Sequence, residues 1–350
     1  MRDYSVSISK AFGIILMVLA HSRFSEYGNY WINMFHMPLF FFFAGYCFKD
    51  KYLSDLKTYS LNRIKGIYIP FVKWGLFFLL LHNVFFALSI YSAEYGYRGG
   101  GETEYTAKIM VVKAIHIVTR MTDNEPLLGG YWFLRSLFWG SFLGYFSIKY
   151  INNWYYRLAV LLLLTMGLSF FHLSFPYLRI GKTESYAAFF FVCGYELKPV
   201  LIKYTLPNRS IIAFTTVSII MITIGMNYWQ ATTKTIEWFE VVPYAMTAIL
   251  GTVSILFISR LIAKRENKFK DYMVYIGDNT LTILTWHFSC FKIVSLLIIS
   301  IYNLPIARLG EHPTIEMYAA KGWFVVYLLA GVSFPIYLLR QIDYDNGQQK

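Results

Sequence analysis

Charged residues and cysteines are scarce in this sequence. Only 15% of the 350 residues are charged, against about 25% in soluble domains, while 57% are hydrophobic. This composition predicts a protein built for a lipid environment. The three cysteines lie in apolar stretches without metal-binding spacing, and their odd number argues against a disulfide framework. We interpret Cys47, Cys193 and Cys290 as small hydrophobic residues.

Motifs of several enzyme and binding classes are also missing. The sequence has no HExxH helix, no Walker lysine loop, no GxSxG elbow and no cysteine-rich metal site, so no metal is expected. It has no basic face on a water-exposed domain, so no nucleic-acid partner is expected. A cleavable leader is not expected either, because Lys10 interrupts the first apolar run and no small-residue cleavage site is present.

Ten apolar stretches approach the ~20 residues needed to cross a bilayer. We therefore predict an all-α, polytopic integral membrane protein. It forms a single bundle of about ten transmembrane helices and one domain over residues 1–350, with no separate soluble domain. The predicted spans lie near 6–24, 31–48, 67–91, 131–148, 158–175, 186–197, 210–229, 241–262, 275–302 and 323–340.

Lysine and arginine are distributed unevenly over the predicted connections. With the N-terminus inside, the inner segments carry 18 of them and the outer connections 10. This bias predicts that both termini are cytoplasmic and that the bilayer is a partner of the chain. The net charge of +12 is then mainly a topology signal.

The longest outer connection is predicted at 92–130. Glycines at 99–101 predict a flexible turn, and the following segment is predicted to form an amphipathic helix along the membrane surface or over a cavity. His116 is interpreted as a surface residue of that helix. His312, in the outer connection 303–322, is interpreted as a loop feature.

The first predicted span carries two ionisable residues on one face. Lys10 and His21 are eleven residues apart, close to three helical turns, which places them roughly 16 Å apart along the axis. Ile14 and Met17 lie between them on the same stripe. This pattern favours a lined pore with a chemical centre, since charges inside a span usually face protein or water. The alternative is that Lys10 snorkels to the headgroups and His21 caps a helix end.

Other polar residues interrupt the apolar runs. Arg63 and Lys65, at the predicted inner mouth, either set the topology or hold the phosphates of an anionic cosubstrate. Asp278 and Asn279 predict a helix N-cap or a helix break. His82 and His172 have no charged residue nearby in the sequence, so we interpret both as ordinary hydrogen-bonded histidines.

Five sequence elements together resemble the membrane-bound acyltransferase 3 family, and they occur in the family order over essentially the whole chain. The resemblance is strongest to the group of fucose 4-O-acetylases and surface-polysaccharide O-acetyltransferases. The five elements are the basic residue and histidine at Lys10 and His21, FHMPLFFFFAGY at 35–46, RIKGIYIP at 63–70, YWFLRSLF at 131–138 and YIGDNTLTILTWHF at 275–288.

The resemblance implies an O-acetyltransferase of the bacterial cytoplasmic (inner) membrane. Its donor cosubstrate would be acetyl-CoA or another short acyl-CoA, and its acceptor a hydroxyl of a cell-surface or lipid-linked glycan. By motif matching, His21 takes the role of the catalytic histidine, and Lys10 that of the cation beneath it. Arg63 takes the first position of an RxxR element at the CoA end.

The chain departs from the family pattern at three positions. Ser7 stands where many relatives have an acidic residue, and Ala11 where glycine is usual. Gly66 occupies the second RxxR position, for which Lys65 is the expected substitute.

Two chemical routes follow from the resemblance. Neutral His21 removes the proton of the acceptor hydroxyl as it attacks the thioester, or it takes the acyl group itself and passes it on. The CoA phosphates would lie near Lys10, Arg63 and Lys65. The candidates for substrate binding, which would stabilise the oxyanion or orient the sugar, are His36, Trp132, Arg135 and His287.

Two other function classes fit the same polar residues. A transporter or flippase for a glycan, lipid or anionic solute would use a charged cavity without a thioester donor. A lipid-linked glycan polymerase or ligase would depend on a polyprenyl-phosphate sugar and not on CoA.

Overall fold

A computed structural model describes residues 3–96, 102–204 and 206–345, and within these ranges the chain is helical and has no strand. The glycine turn predicted at 99–101 lies outside the described residues. The α-helices are α1 Tyr4–His21, α2 Glu26–Asn33, α3 His36–Tyr46, α4 Leu56–Arg63, α5 Ile69–Leu80, α6 His82–Ala87, α7 Ala107–Arg120, α8 Trp132–Tyr150, α9 Trp154–Phe170, α10 Lys182–Lys203, α11 Asn208–Tyr228, α12 Val241–Ala263, α13 Lys268–Asp278, α14 Thr280–Tyr302, α15 Glu316–Tyr318 and α16 Phe324–Asp345.

Within the described residues, six helical stretches are long and apolar enough to cross a membrane, so the predicted count of about ten is not confirmed. The described residues are nonetheless all-α and include several candidate spanning helices, as predicted. The six stretches are Tyr4–His21, Lys182–Lys203, Asn208–Tyr228, Trp238–Ala263, Thr280–Tyr302 and Glu316–Leu338.

The predicted spans at 31–48 and 67–91 are broken into shorter helices. Pro38 is the third residue of α3, and in the first turn of a helix its missing N–H leaves no hydrogen bond unmade. If α2 and α3 were one continuous helix, Pro38 would lie in its interior and one backbone hydrogen bond would be lost. In the second stretch the helical run continues through Pro70, from the π-helical turn over Ile64–Tyr68 into α5, and the break falls between Leu80 and His82, where α6 begins. Hydropathy counts apolar residues and does not register these backbone interruptions.

The described chain groups into two compact units. The first comprises Met1–Gly13, Tyr30–Pro70 and Phe133–Gly277, and the second Ile14–Asn29, Phe71–Trp132 and Asp278–Lys350. Helix α1 therefore begins in the first unit and ends in the second. The helix break predicted at Asp278–Asn279 is confirmed, because α13 ends at Asp278 and α14 begins at Thr280.

In the first unit, α3 and α10 pack with their backbones in close approach. A Cβ atom on Gly45 would lie 1.7 Å from the Phe191 carbonyl oxygen, and one on Gly194 would lie 1.9 Å from that of Phe42. Any side chain at either glycine would force the helices apart. In membranes, small residues allow two helix backbones to approach closely, and the van der Waals contact between them then drives the association of the helices. Of the three free cysteines, Cys193 and Cys290 are buried and Cys47 is exposed.

In the second unit, α14 packs against α16 and against the turn that precedes α8. The hydroxyls of Ser295 and Tyr327 are hydrogen-bonded at 2.8 Å, and the Phe291 ring lies against Tyr327. From the preceding turn, the Tyr131 hydroxyl is hydrogen-bonded to that of Thr285 at 2.6 Å. These contacts hold the central turns of α14 on two sides.

The predicted helix of the long connection is α7. On α7 the side chain of Ile117 is buried, whereas those of Val111 and Ile115 are exposed. His116 pairs with Asp123 and is 26% exposed, in agreement with its predicted surface position. The position of α7 relative to a membrane stays a prediction.

His82 is hydrogen-bonded, as predicted, but the expectation that it lacks a nearby charged partner is wrong. Its Nδ1 lies 2.6 Å from the Glu125 carboxylate, and both side chains are fully buried. Its Nε2 donates to the Thr103 carbonyl at 2.9 Å, and the Tyr105 ring stacks on the imidazole. Glu125 is 43 residues away, so local sequence gave no sign of it. His172, by contrast, is exposed just beyond α9.

Replacement of His82 with alanine is expected to lower the free energy of unfolding by about 3 to 5 kcal/mol, because Glu125 would lose its buried partner. Thermal unfolding in detergent, followed by size-exclusion chromatography, measures the effect. The matched control is His116→Ala, whose exposed ion pair contributes about 0 to 1 kcal/mol. Equal shifts for the two variants would contradict the expectation.

Candidate active site

Helix α1 is one uninterrupted helix that carries both Lys10 and His21. Ile14 and Met17, between them on the same stripe, are each only 3% exposed. This stripe therefore faces the protein interior at its centre, as the spacing predicts. Lys10 belongs to the first unit and His21 to the second, so the surroundings of each are described separately.

In the second unit, α14 brings two aromatic residues against His21. The His287 ring stacks on the His21 ring, with centroids 5.5 Å apart and an interplanar angle of 29°. The Phe288 ring meets the His21 ring edge-on at 4.9 Å and lies 4.0 Å from that of His287. Two residues separated by more than 260 positions thus form an imidazole pair beside one phenyl ring.

Local hydrogen bonds define which nitrogen of His287 is available. Its Nδ1 lies 3.0 Å from the carbonyl oxygens of both Ile283 and Leu284, which only accept, so Nδ1 carries the hydrogen in the neutral ring. Its Nε2 then presents a lone pair. Within the described residues this atom is buried and has no hydrogen-bond partner. A buried, unsatisfied acceptor is unusual and suits a hydroxyl group brought by a substrate.

A third histidine, His312, lies in a connecting segment, as the sequence predicts, but its ring also contacts the same phenyl ring. The His312 ring centroid is 4.7 Å from that of Phe288. Burial lowers the pKa of His312 well below its usual range, and the positive charge of Lys292 and the proximity of His287 lower it further. The ring is therefore neutral at ordinary pH. We call His21, His287 and His312 around Phe288 the histidine cluster.

In the first unit, cations gather where the chain leaves α3. Lys10, Arg63 and Lys198 all act electrostatically on Cys47, the residue after α3. The Lys198 ammonium donates to the Phe48 carbonyl at 3.3 Å, and the Arg63 guanidinium lies 5.1 Å from the Tyr59 ring. In the described part of the chain neither Arg63 nor Lys198 forms an ion pair. We call Lys10, Arg63 and Lys198 the basic cluster.

The sequence also predicts Lys65 beside these cations, and its role in binding the CoA phosphates stays a prediction. Lys65 is exposed on the π-helical turn, and no described contact joins it to the basic cluster. Lys198 was missed because it lies more than 130 residues from Arg63.

A cavity of about 280 Å³ in the first unit is lined by Asp3, Tyr4, Arg260 and Lys264 among others. Arg260 donates to the Leu201 carbonyl at 2.8 Å.

The remaining substrate-binding candidates have different surroundings. His36 is buried in the first unit, where its Nδ1 is bonded to the Ile32 carbonyl at 2.9 Å. Arg135 pairs with Glu184 at 3.5 Å and donates to the carbonyls of Leu178 and Arg179, so its guanidinium supports the loop before α10. Trp132 opens α8 in the second unit.

No group of three or more histidine, cysteine, aspartate or glutamate residues is arranged to hold a metal ion in the ranges that the structure describes. The side chains named in the two clusters are imidazoles, a phenyl ring and cations. Neutral imidazoles suit proton transfer or nucleophilic attack on an acyl group.

Comparison with known families decides the class. A family model described as an acyltransferase domain, that of acyltransferase 3, matches residues 3–340. The chain belongs to the acyltransferase 3 family. No curated protein and no solved structure matches it. Together with the apolar helices, the family makes this chain a multi-pass membrane acyltransferase, and the predicted resemblance is confirmed.

Proposed function

We propose that this acyltransferase moves an acetyl or other short acyl group from acyl-CoA to a hydroxyl of a cell-surface or lipid-linked glycan. The observation that carries the proposal is the stacked pair of His21 and His287 in a chain of the acyltransferase 3 family. The distribution of lysine and arginine supports an orientation with both termini in the cytoplasm. The family resemblance implies the bacterial cytoplasmic membrane as the location.

In the transfer step, His21 is the catalytic residue. It removes the proton of the acceptor hydroxyl while the hydroxyl oxygen attacks the thioester carbonyl. The carbon–sulfur bond then breaks, and the proton held by His21 passes to the departing CoA thiolate. In the alternative route, His21 attacks the thioester first, the carbon–sulfur bond breaks, and the ring proton passes to the CoA thiolate, which leaves an acyl-imidazole. The acceptor hydroxyl then attacks this acyl group, and its proton returns to the imidazole as the bond between the acyl group and nitrogen breaks. An acyl adduct on His21, sought by mass spectrometry after mixing with acyl-CoA alone, separates the routes.

His287 orients the acceptor in this proposal. Its Nε2 lone pair accepts a hydrogen bond from a hydroxyl, and the carbonyls of Ile283 and Leu284 hold the tautomer that makes this possible. In this tautomer the neutral ring does not donate to an oxyanion. The geometry thus favours orientation of the sugar over oxyanion stabilisation for His287. His36, Trp132 and Arg135 remain proposed contributors to acceptor binding.

The basic cluster is proposed to hold the phosphates of CoA. Lys10 and Arg63 keep the roles that their motifs imply, and Lys198 joins them beside Cys47. Arg63 and Lys198 have no carboxylate partner in the described residues, so their charge is available to an anionic ligand. Charge-assisted hydrogen bonds to phosphate are about twice as strong as neutral ones.

The proposal is tested with purified protein, [¹⁴C]acetyl-CoA and membranes from cells that lack the gene. We expect label to enter the glycan fraction with release of CoA, and NMR of surface glycan to show acetyl groups only in cells that carry the gene. Release of CoA without gene-dependent acetylation would point to another acceptor. Absence of both would favour a transporter or a polyprenyl-phosphate-dependent ligase.

Replacement of Arg63 or Lys198 with glutamine is expected to raise the KM for acetyl-CoA about tenfold or more. Each loses one charged hydrogen bond, which contributes about 1.5 to 3 kcal/mol. Initial rates at varied acetyl-CoA measure the change. The matched control is Lys149→Gln, an exposed basic residue near the end of α8. An unchanged KM for acetyl-CoA in both variants would show that the CoA phosphates do not bind at the basic cluster.

A further inference from the structure

The segment between α14 and α15 forms a wall of the histidine cluster. His312 lies in this segment, and its ring centroid is 4.7 Å from that of Phe288, the ring that His21 and His287 also contact. His287 is near enough to act electrostatically on the His312 imidazole. One phenyl ring therefore has three imidazoles as neighbours, from α1, α14 and a connecting segment.

The backbone on both sides of His312 is held in place by buried polar groups. The Lys292 ammonium donates to the carbonyls of Leu309 and Glu311, at 2.7 Å each, and its residue is only 5% exposed. After His312, the backbone N–H of Ile315 donates to the Tyr327 hydroxyl at 3.2 Å. Burying an ammonium group costs free energy, and the hydrogen bonds of Lys292 offset part of this cost. Its burial here indicates that the segment carrying His312 is held in a defined position.

Burial, together with the positive charges of Lys292 and Arg23, lowers the pKa of His312 and keeps its ring neutral. Glu311, the nearest acidic neighbour in sequence, instead pairs with Arg308 at 2.9 Å. A neutral imidazole has one N–H donor and one acceptor nitrogen, and a sugar hydroxyl can serve as partner to either.

We propose that His312 is a positioning residue that hydrogen-bonds the acceptor saccharide and thereby places its hydroxyl beside His21 and His287. The inference rests on the proposed glycan acylation and extends it to a residue outside the family's motifs quoted above. Lys292 contributes indirectly, because it holds the segment on which His312 is carried.

Two substitutions separate this role from simple packing against Phe288. His312→Phe keeps an aromatic ring of similar size and removes both polar nitrogens. His312→Gln keeps a donor and an acceptor but removes the ring. If His312 positions the acceptor, phenylalanine should be damaging and glutamine tolerated. If His312 only packs, the order should be reversed.

The assay uses [¹⁴C]acetyl-CoA with acceptor membranes from cells lacking the gene, and varies each in turn. For His312→Phe we expect kcat/KM for the acceptor membranes to fall about tenfold to a hundredfold, with the KM for acetyl-CoA unchanged. His312→Gln should stay within about threefold of the parent protein. His116→Gln, at the exposed histidine of α7, is the control.

Full activity of His312→Phe, or equal loss in both variants at equal folded yield, would overturn the proposal. If His312→Phe does not yield folded protein, the pair His312→Leu and His312→Asn makes the same comparison. A parent protein that transfers no label would refute the proposed function itself, and this result is distinguishable from a failure of His312 alone.

Discussion

Replacement of His21 with alanine is expected to reduce acyl transfer by a factor of about 10² to 10⁴, the contribution of a positioned general base. His21 lies at the end of α1, where its ring contacts His287 and Phe288, and the helix does not depend on its side chain. The yield and the elution volume of the purified variant should therefore match those of the parent. Transfer of label from [¹⁴C]acetyl-CoA to acceptor membranes measures the loss.

The control for His21 is His116→Ala, which removes an imidazole from the surface of α7 and should retain activity. A His21→Ala protein that is folded and fully active would eliminate both routes proposed for the transfer step. A variant that loses transfer yet still binds acetyl-CoA would support a role in chemistry and not in donor binding.

Replacement of His287 with phenylalanine is expected to lower kcat about a hundredfold. The substitution keeps a ring that can stack on His21 but removes the Nε2 acceptor, which is buried and has no partner among the described residues. The carbonyls of Ile283 and Leu284 lie inside α14 and keep their helical hydrogen bonds, so the fold should tolerate the change.

The kinetic pattern distinguishes orientation from packing at His287. We expect the KM for acetyl-CoA to stay constant, because the basic cluster is untouched. Phe291→Leu, four residues and about one helical turn further on at a ring that contacts His287, controls for a general disturbance of α14. Similar rates for the parent and His287→Phe would leave His287 with a packing role only.

Features that depend on residues close together in sequence were predicted well. The 3.6-residue period places Lys10, Ile14, Met17 and His21 on one stripe, and the structure keeps α1 unbroken with the centre of that stripe buried. The period similarly identified α7, and the asparagine at 279 marks a real break. The predicted count of about ten spans is not confirmed, because some stretches that remain apolar are broken, as between α2 and α3 and between α5 and α6.

The sequence by itself determined the membrane class, the acyltransferase 3 family and the helix that carries Lys10 and His21. Only the tertiary structure decided that His287 and His312 join His21 at Phe288, that Lys198 joins Arg63, and that Glu125 pairs with His82. The physical reason is that side-chain period and composition act along one helix. Contacts between helices depend on how their backbones pack. In the first unit this packing is set by close backbone approaches, that of Gly45 to Phe191 and that of Gly194 to Phe42.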